Sequence, residues 1–140
     1  MLKKINPVIS PELLKVLMEM GHGDEIVIAD GNFPGASHAK TLIRSDGHGT
    51  APLLSAILEL FPLDQYVVKP VVLMEVVPGD TVIPVIWEVY KDIIKKAEPE
   101  AGIEYMERFA YYERAKNAYA VIQTGESALY ANIILKKGVV

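Results

Sequence analysis

The chain contains no cysteine among its 140 residues. This absence excludes a disulfide framework, a thiolate nucleophile, zinc held by sulfur and an iron–sulfur cluster. Any metal would have to be bound by histidine and carboxylate side chains. A chain without thiols also fits a reducing compartment, and we therefore expect a cytoplasmic protein.

The chain also has no excess of positively charged residues. The 18 Asp and Glu residues outnumber the 14 Lys and Arg residues, which gives a formal charge of -4. Proteins that bind nucleic acids need a basic surface to balance the phosphates, so we expect no nucleic-acid partner. A small substrate is the better expectation.

Long hydrophobic runs are absent too. The longest, at 71–77 and 133–135, are interrupted or closed by charged residues and are far shorter than a membrane span. The first residues carry two lysines and then Pro7 instead of an apolar signal-peptide core. We expect neither a membrane partner nor secretion.

Three sequence motifs that bind phosphates or present a nucleophile do not occur. The chain has no G-x-G-x-x-G, no phosphate-binding loop ending in Gly-Lys-Ser/Thr, and no G-x-S-x-G turn. Nothing therefore indicates a dinucleotide cofactor, a phosphate cradle or a serine hydrolase.

What the chain does contain is enough apolar sequence for one core. Apolar residues make up 51% of it and charged residues 23%, which excludes a disordered chain. A length of 140 residues is close to the commonest domain size, so we predict a single domain over 1–140.

Helical and strand patterns alternate along this domain. Apolar spacing and turn residues predict helices over 11–20, 51–61, 83–97 and 109–117, and strands over 25–29, 66–77, 103–106, 119–123 and 132–135. Ser10 and Thr50 are the expected helix caps, and 31–38 is expected to be irregular.

This alternation of helices and strands predicts the fold class α/β, a three-layer α/β/α domain with a mostly parallel or mixed central sheet. Ligands of such sheets bind beyond the strand ends.

The three histidines, His22, His38 and His48, all lie in loops that contain glycine. His22 is either a solvated residue after the first helix or a proton shuttle, because imidazole can give or take a proton near neutral pH. A metal site would have to combine the histidines with nearby aspartates. Their spacing matches no compact metal-binding motif.

Other candidate site residues lie at a strand end and in an aromatic segment. Asp30, after the strand at 25–29, either starts a turn or contacts a ligand. Arg108 and Tyr112 stand four residues apart and share a helix face if the helix begins at Arg108. The alternative for these two is ordinary packing and a surface ion pair.

Several segments, taken in order, carry a family resemblance. The chain resembles the L-fucose mutarotase and D-ribose pyranase family from Met1 to Gly138, in Pro11-Glu12-Leu13-Leu14-Lys15, Gly21-His22-Gly23-Asp24-Glu25, Asp30 with Asn32-Phe33-Pro34, Arg108-Phe109-Ala110-Tyr111-Tyr112-Glu113-Arg114-Ala115, Thr124-Gly125-Glu126 and Tyr130-Ala131-Asn132-Ile133-Ile134-Leu135-Lys136-Lys137-Gly138. Tyr112 resembles the fucose branch, because ribose pyranase-like members tend to have His there. Ala131 resembles the pyranase version instead.

The resemblance implies a ribose pyranase-like fold and an isomerase that needs no metal or cofactor. Such an enzyme interconverts the α and β anomers of a free sugar, here L-fucose, and forms a ring-shaped homo-oligomer, commonly a decamer. His22 would be the proton donor. The expected sugar contacts are Asp30, Arg108, Tyr112, Tyr130, Ala131 and Asn132. The alternatives are a D-ribose pyranase and a non-catalytic sugar-binding accessory protein.

These assignments create a geometric conflict. A strand over 25–29 separates His22 from Asp30 by roughly 15 Å or more, at about 3.3 Å per residue. One small sugar cannot span that distance. We therefore expect either a shorter strand with a loop that folds back or a site completed by a neighbouring subunit.

Overall fold

A computed structural model describes all 140 residues and contains one sheet of six strands with five helices. The helices are α1 (Pro11–Glu19), α2 (Gly35–His38), α3 (Thr50–Leu58), α4 (Ile86–Ala97) and α5 (Arg108–Asn117). The strands are β1 (Glu25–Ala29), β2 (Leu42–Ser45), β3 (Val71–Met74), β4 (Ile103–Met106), β5 (Ala120–Thr124) and β6 (Ile133–Lys136). None of the five helices combines the length and the apolar sequence that a membrane-spanning helix requires.

The sheet is mixed, with the order β2-β5-β1-β6-β3-β4. Strand β6 runs antiparallel to both of its neighbours, β1 and β3, and the other pairings are parallel. The carboxyl ends of five strands and the amino end of β6 therefore meet at one edge of the sheet, which we call the site edge. The predicted α/β class with a mostly parallel or mixed sheet is confirmed.

Helices cover both faces of this sheet, because its central strands are apolar on both sides. In β1, Ile26 and Ile28 face one core with α1, α3 and α4, whereas Val27 and Ala29 face a smaller core that includes Tyr111 of α5. Helix α1 begins where the sequence predicts it, since the Ser10 hydroxyl accepts the Leu13 amide at 3.1 Å and Pro11 occupies the first turn.

Two predicted strand boundaries and one loop are wrong. The strand predicted over 66–77 is only Val71–Met74, because Pro70 has no amide to donate and the Asp64 carboxylate holds the Tyr66 amide in a turn. The predicted loop 31–38 contains the single-turn helix α2, too short to show an apolar period. Strand β2 was not predicted, since this edge strand alternates buried Ile43 with exposed Arg44 over four residues.

Two helix starts also differ from the prediction. Thr50 is the first residue of α3 and not its cap, and its amide donates to the Glu126 carboxylate at 3.2 Å. Helix α4 begins at Ile86 and not at residue 83, because Pro84 disfavours a helical backbone at the residue before it. The apolar spacing predicts that Ile86, Val89, Tyr90, Ile93 and Ile94 are buried, but only Tyr90 and Ile94 are. Val89, expected in the core, is exposed.

Candidate active site

A cavity of about 200 Å³ opens at the site edge. It is lined by residues that follow β1, end β3, begin α5 after β4, and precede β6. Five of the predicted site residues line it, namely Asp30, Arg108, Tyr112, Tyr130 and Asn132. The strand directions explain this meeting, because β6 is reversed and presents its amino-terminal flank where the parallel strands present their carboxyl-terminal flanks.

Asp30 lies at the floor of the cavity, with only 4% of its surface exposed. Its backbone amide donates to Asn132 Oδ1 at 2.8 Å, and its Oδ1 accepts the Asn32 amide at 3.0 Å. Burial raises the pKa of the Asp30 carboxyl, and hydrogen bonds from the backbone amides of Asn32, Phe33 and Ala131 offset this rise only in part. Asp30 is therefore a desolvated carboxyl that polar ligand groups can reach.

Helix α5 carries Arg108 and Tyr112 to the cavity wall. The Glu107 carboxylate caps this helix by accepting the Phe109 and Ala110 amides at 2.9 and 3.0 Å. The guanidinium of Arg108 lies 4.5 Å from the centre of the Phe109 ring, and its buried Nε has no hydrogen-bond partner. Tyr112 packs edge-on against Phe33, with ring centres 5.6 Å apart. Burying a hydrogen-bond donor without a partner is unfavourable. We therefore expect Arg108 Nε to donate to an acceptor of a bound ligand.

The segment before β6 is held from behind by α4. Trp87 Nε1 donates to the Tyr130 carbonyl at 2.8 Å, and the Tyr90 hydroxyl donates to the Ala131 carbonyl at 2.6 Å and also contacts the Thr50 hydroxyl. Tyr130 has a left-handed backbone with φ of 58°, which costs about 1–2 kcal/mol for a residue other than glycine. The hydrogen bonds from Trp87 and Tyr90 hold the segment in this conformation.

Ala131 is placed differently from its two neighbours. Its side chain is fully buried and does not line the cavity, and its amide lies close to the Asp30 carboxylate. A direct contact between Ala131 and a sugar remains a prediction.

His22 lies at the opposite edge of the sheet from the cavity. Strand β1 has the predicted bounds, so the shorter-strand explanation is wrong, and its five residues separate His22 from Asp30 by about 16 Å. His22 Nε2 is 3.1 Å from Oδ1 of Asp64, a buried carboxylate that also accepts the Tyr66 amide. The His22 side chain is 45% exposed.

The hydrogen bond to Asp64 determines which ring nitrogen of His22 is left without a partner. The Tyr66 amide and the His22 side chain hold the pKa of Asp64 below its ordinary value even though burial opposes this, so the carboxylate is only an acceptor. Nε2 must then carry the proton of this hydrogen bond. Nδ1 remains for chemistry outside the chain's own cavity.

Sequence reasoning missed several residues around the cavity. Asp80 lines it, although the segment Pro78-Gly79-Asp80 by itself predicts only a turn. The apolar residues Met74, Val77 and Leu129 form part of the wall. No sequence motif marks these residues. Val77 and Asp80 line the cavity because of the path of the loop after β3, which a local pattern does not predict. No group of three or more His, Asp or Glu side chains is placed to hold a metal ion.

The raised pKa of Asp30 predicts a pH-dependent stability difference between the wild type and Asp30→Asn. A folded-state pKa above the unfolded value means that the wild type binds more protons when folded, so this contribution is complete at low pH and is lost as the pH rises through the folded pKa. We expect the free energy of unfolding of Asp30→Asn, relative to the wild type, to increase over that range. Urea unfolding at several pH values measures the difference between the two free energies of unfolding. A difference, variant minus wild type, that stays constant or falls as the pH rises would contradict the burial effect.

The fold and the cavity define an α/β protein that binds a small molecule beyond the strand ends, through a carboxylate, a guanidinium and hydroxyl and amide groups beside an apolar wall. The chain belongs to the RbsD / FucU transport protein family, whose sequence profile matches residues 3–140.

Three relatives show what the chain is similar to within this family. The chain is 56% identical to an L-fucose mutarotase of Actinobacillus pleuropneumoniae, over 99% of this chain and 97% of that protein. It is similar to the crystal structure of the fucose mutarotase from Streptococcus pneumoniae in complex with L-fucose, with 55% identity, a TM-score of 0.95 and 99% coverage of both chains. Bacillus subtilis RbsD complexed with D-ribose is more distant, with 26% identity, a TM-score of 0.76, and coverage of 100% of this chain and 99% of that chain.

Proposed function

We propose that this protein is an isomerase that interconverts the α and β anomers of L-fucose. The observation that carries the proposal is the meeting of five expected sugar contacts around one small cavity, in a chain similar over its full length to a mutarotase solved with L-fucose. The family and the cavity thus point to the same class of ligand.

The cavity has the mixed character that a neutral sugar requires. The Asp30 carboxylate offers an acceptor to sugar hydroxyls, whereas Asn132 offers the donor Nδ2, because its Oδ1 already accepts the Asp30 amide. The Arg108 guanidinium donates to two oxygens at once. Tyr112, Met74 and Leu129 supply an apolar wall for the carbon face and for the methyl group of a 6-deoxy sugar. A neutral ligand explains why the cavity contains charges of both signs and no basic cluster.

The reaction needs only proton transfers. An acid places a proton on the ring oxygen while a base, here taken as water, accepts the proton of the anomeric hydroxyl. The bond between the anomeric carbon and the ring oxygen then breaks, and an open-chain aldehyde forms. After rotation of the carbonyl carbon, the same steps in reverse close the ring to the other anomer. Positioned acid and base groups accelerate such steps by about 10²–10⁴-fold. We assign the donation of a proton to the ring oxygen to His22. With Nε2–H bound to Asp64, Nδ1 donates this proton from the imidazolium form and recovers it when the ring closes.

His22 would reach the sugar from a second copy of the chain. Within one chain the strand β1 keeps His22 away from the cavity. The imidazole is partly exposed, and because Asp64 engages Nε2, Nδ1 is left for an external partner. A closed homo-oligomer can bring the His22 edge of one copy to the cavity of the next. We propose the ring-shaped assembly, commonly a decamer, that the resemblance implies, in the cytoplasm.

Saturation-transfer NMR of free L-fucose at neutral pH tests the proposed reaction. We expect the wild-type protein to accelerate exchange between the α and β signals, because it supplies positioned acid and base groups that water lacks. The exchange rate should scale with protein concentration. Binding of L-fucose without faster exchange would indicate a sugar-binding accessory protein instead.

D-Ribose is the control substrate in the same experiment. The distant likeness to RbsD complexed with D-ribose and the pyranase-like Ala131 favour this second candidate. Tyr112 at the cavity favours L-fucose. Faster exchange of D-ribose than of L-fucose would assign the protein as a pyranase.

A further inference from the structure

The cavity contains a carboxylate that none of the expected sugar contacts includes, and it belongs to the loop between β3 and α4. Asp80 Oδ2 accepts a hydrogen bond from the Tyr130 hydroxyl at 2.5 Å. The Val77 amide donates to the same Tyr130 oxygen at 3.3 Å. Tyr130 is thus held at its hydroxyl by this loop and at its carbonyl by Trp87.

Local sequence fixes the position of Asp80. Val77-Pro78-Gly79-Asp80 forms a turn in which the Asp80 amide donates to the Val77 carbonyl at 3.0 Å. Gly79 at the third position has φ of 90°, which a type II turn requires and glycine tolerates. Asp80 Oδ1 then accepts the Val82 amide at 3.0 Å, which leaves Oδ2 for Tyr130.

We propose, on the basis of the proposed function, that Asp80 is a positioning residue that makes the Tyr130 hydroxyl a hydrogen-bond acceptor toward the sugar. A phenol has one proton, and here that proton is committed to Asp80. Toward the cavity, Tyr130 can therefore only accept, so the sugar must present a hydroxyl that donates. The hydrogen bond also raises the pKa of Tyr130 and lowers that of Asp80. The proton therefore stays on the Tyr130 oxygen, and Asp80 stays the acceptor.

The test compares Asp80→Asn, Tyr130→Phe and the double variant. Asparagine keeps an oxygen for the Val82 amide, so the turn is preserved while the anionic acceptor is lost. We expect each single change to raise KM for L-fucose by about 2–10-fold, the range of one net hydrogen bond, with a smaller effect on kcat. The double variant should be no worse than Tyr130→Phe, because Asp80 acts through Tyr130. Asp92→Asn on the exposed face of α4 is the matched control.

A second readout does not depend on catalysis. Alkaline absorbance titration, with Tyr130→Phe subtracted to isolate Tyr130, should show a lower pKa for this phenol in Asp80→Asn than in the wild type. Additive effects on KM, an unchanged KM in Asp80→Asn, or an unshifted Tyr130 titration would overturn the proposal. A wild-type protein that fails to accelerate sugar exchange would instead refute the proposed function, while the titration would still test the Asp80–Tyr130 pair.

Discussion

Replacing His22 with alanine is expected to slow the exchange of L-fucose anomers by about 10²–10⁴-fold, the range of one positioned proton donor. The loss should fall mainly on kcat, because His22 lies outside the cavity that binds the sugar. The fold should survive, since His22 is partly exposed and Asp64 keeps its hydrogen bond from the Tyr66 amide. Saturation-transfer NMR gives the rate, and thermal unfolding checks the fold.

Two further variants separate proton transfer from hydrogen bonding. His22→Gln keeps an N–H group for Asp64 but has no titratable nitrogen, so it should be as slow as His22→Ala. His48→Ala is the matched control, because His48 is an exposed histidine between two glycines that does not line the cavity. Wild-type rates in His22→Gln would remove His22 from proton transfer and leave it a structural role.

Mixed assemblies of His22→Ala and Arg108→Met should recover activity that neither variant has alone. Arg108→Met keeps the length of the side chain but loses its donors, and we expect a rate loss of about 10²-fold. If each site combines His22 of one copy with Arg108 of another, random mixing restores both residues in about a quarter of the sites. Co-expression with two affinity tags and sequential purification isolates the mixed assemblies for rate measurement.

The matching control co-expresses His22→Ala with the double variant His22→Ala/Arg108→Met. No copy in that mixture supplies His22, so no site can recover. Recovery only in the first mixture would establish a shared site. A first mixture with no more activity than the sum of its two parent variants would mean that His22 does not serve the cavity of another copy.

The prediction of the fold succeeded where a segment is buried on both faces. Strand β1 has its predicted bounds because its continuous apolar residues have no other place to pack. Strand β2 escaped prediction because an edge strand needs little apolar sequence, and the predicted strand over 66–77 was too long because β-branched residues such as Val67 and Val68 lie in an exposed loop. Propensity describes a residue's preference, whereas packing decides its conformation.

The candidate site was predictable to the extent that it follows family motifs. Asp30, Arg108, Tyr112, Tyr130 and Asn132 do line one cavity. The part played by Asp80 depends on a left-handed backbone at Tyr130 and on a turn fifty residues earlier, and no local pattern links them. In the proposed assembly, the position of His22 relative to the cavity of another copy depends on how the copies pack, and local spacing within one chain does not predict that packing.

The reversed strand β6 also bears on how the protein is made. It lies between β1 and β3, so it alone joins β2-β5-β1 to β3-β4 within the sheet, and it is the last strand in the chain. Without β6, the other five strands would form two separate groups, β2-β5-β1 and β3-β4, with open apolar edges at β1 and β3. The sheet and the cavity beside it can therefore close only once β6 has been synthesised and has paired with both groups.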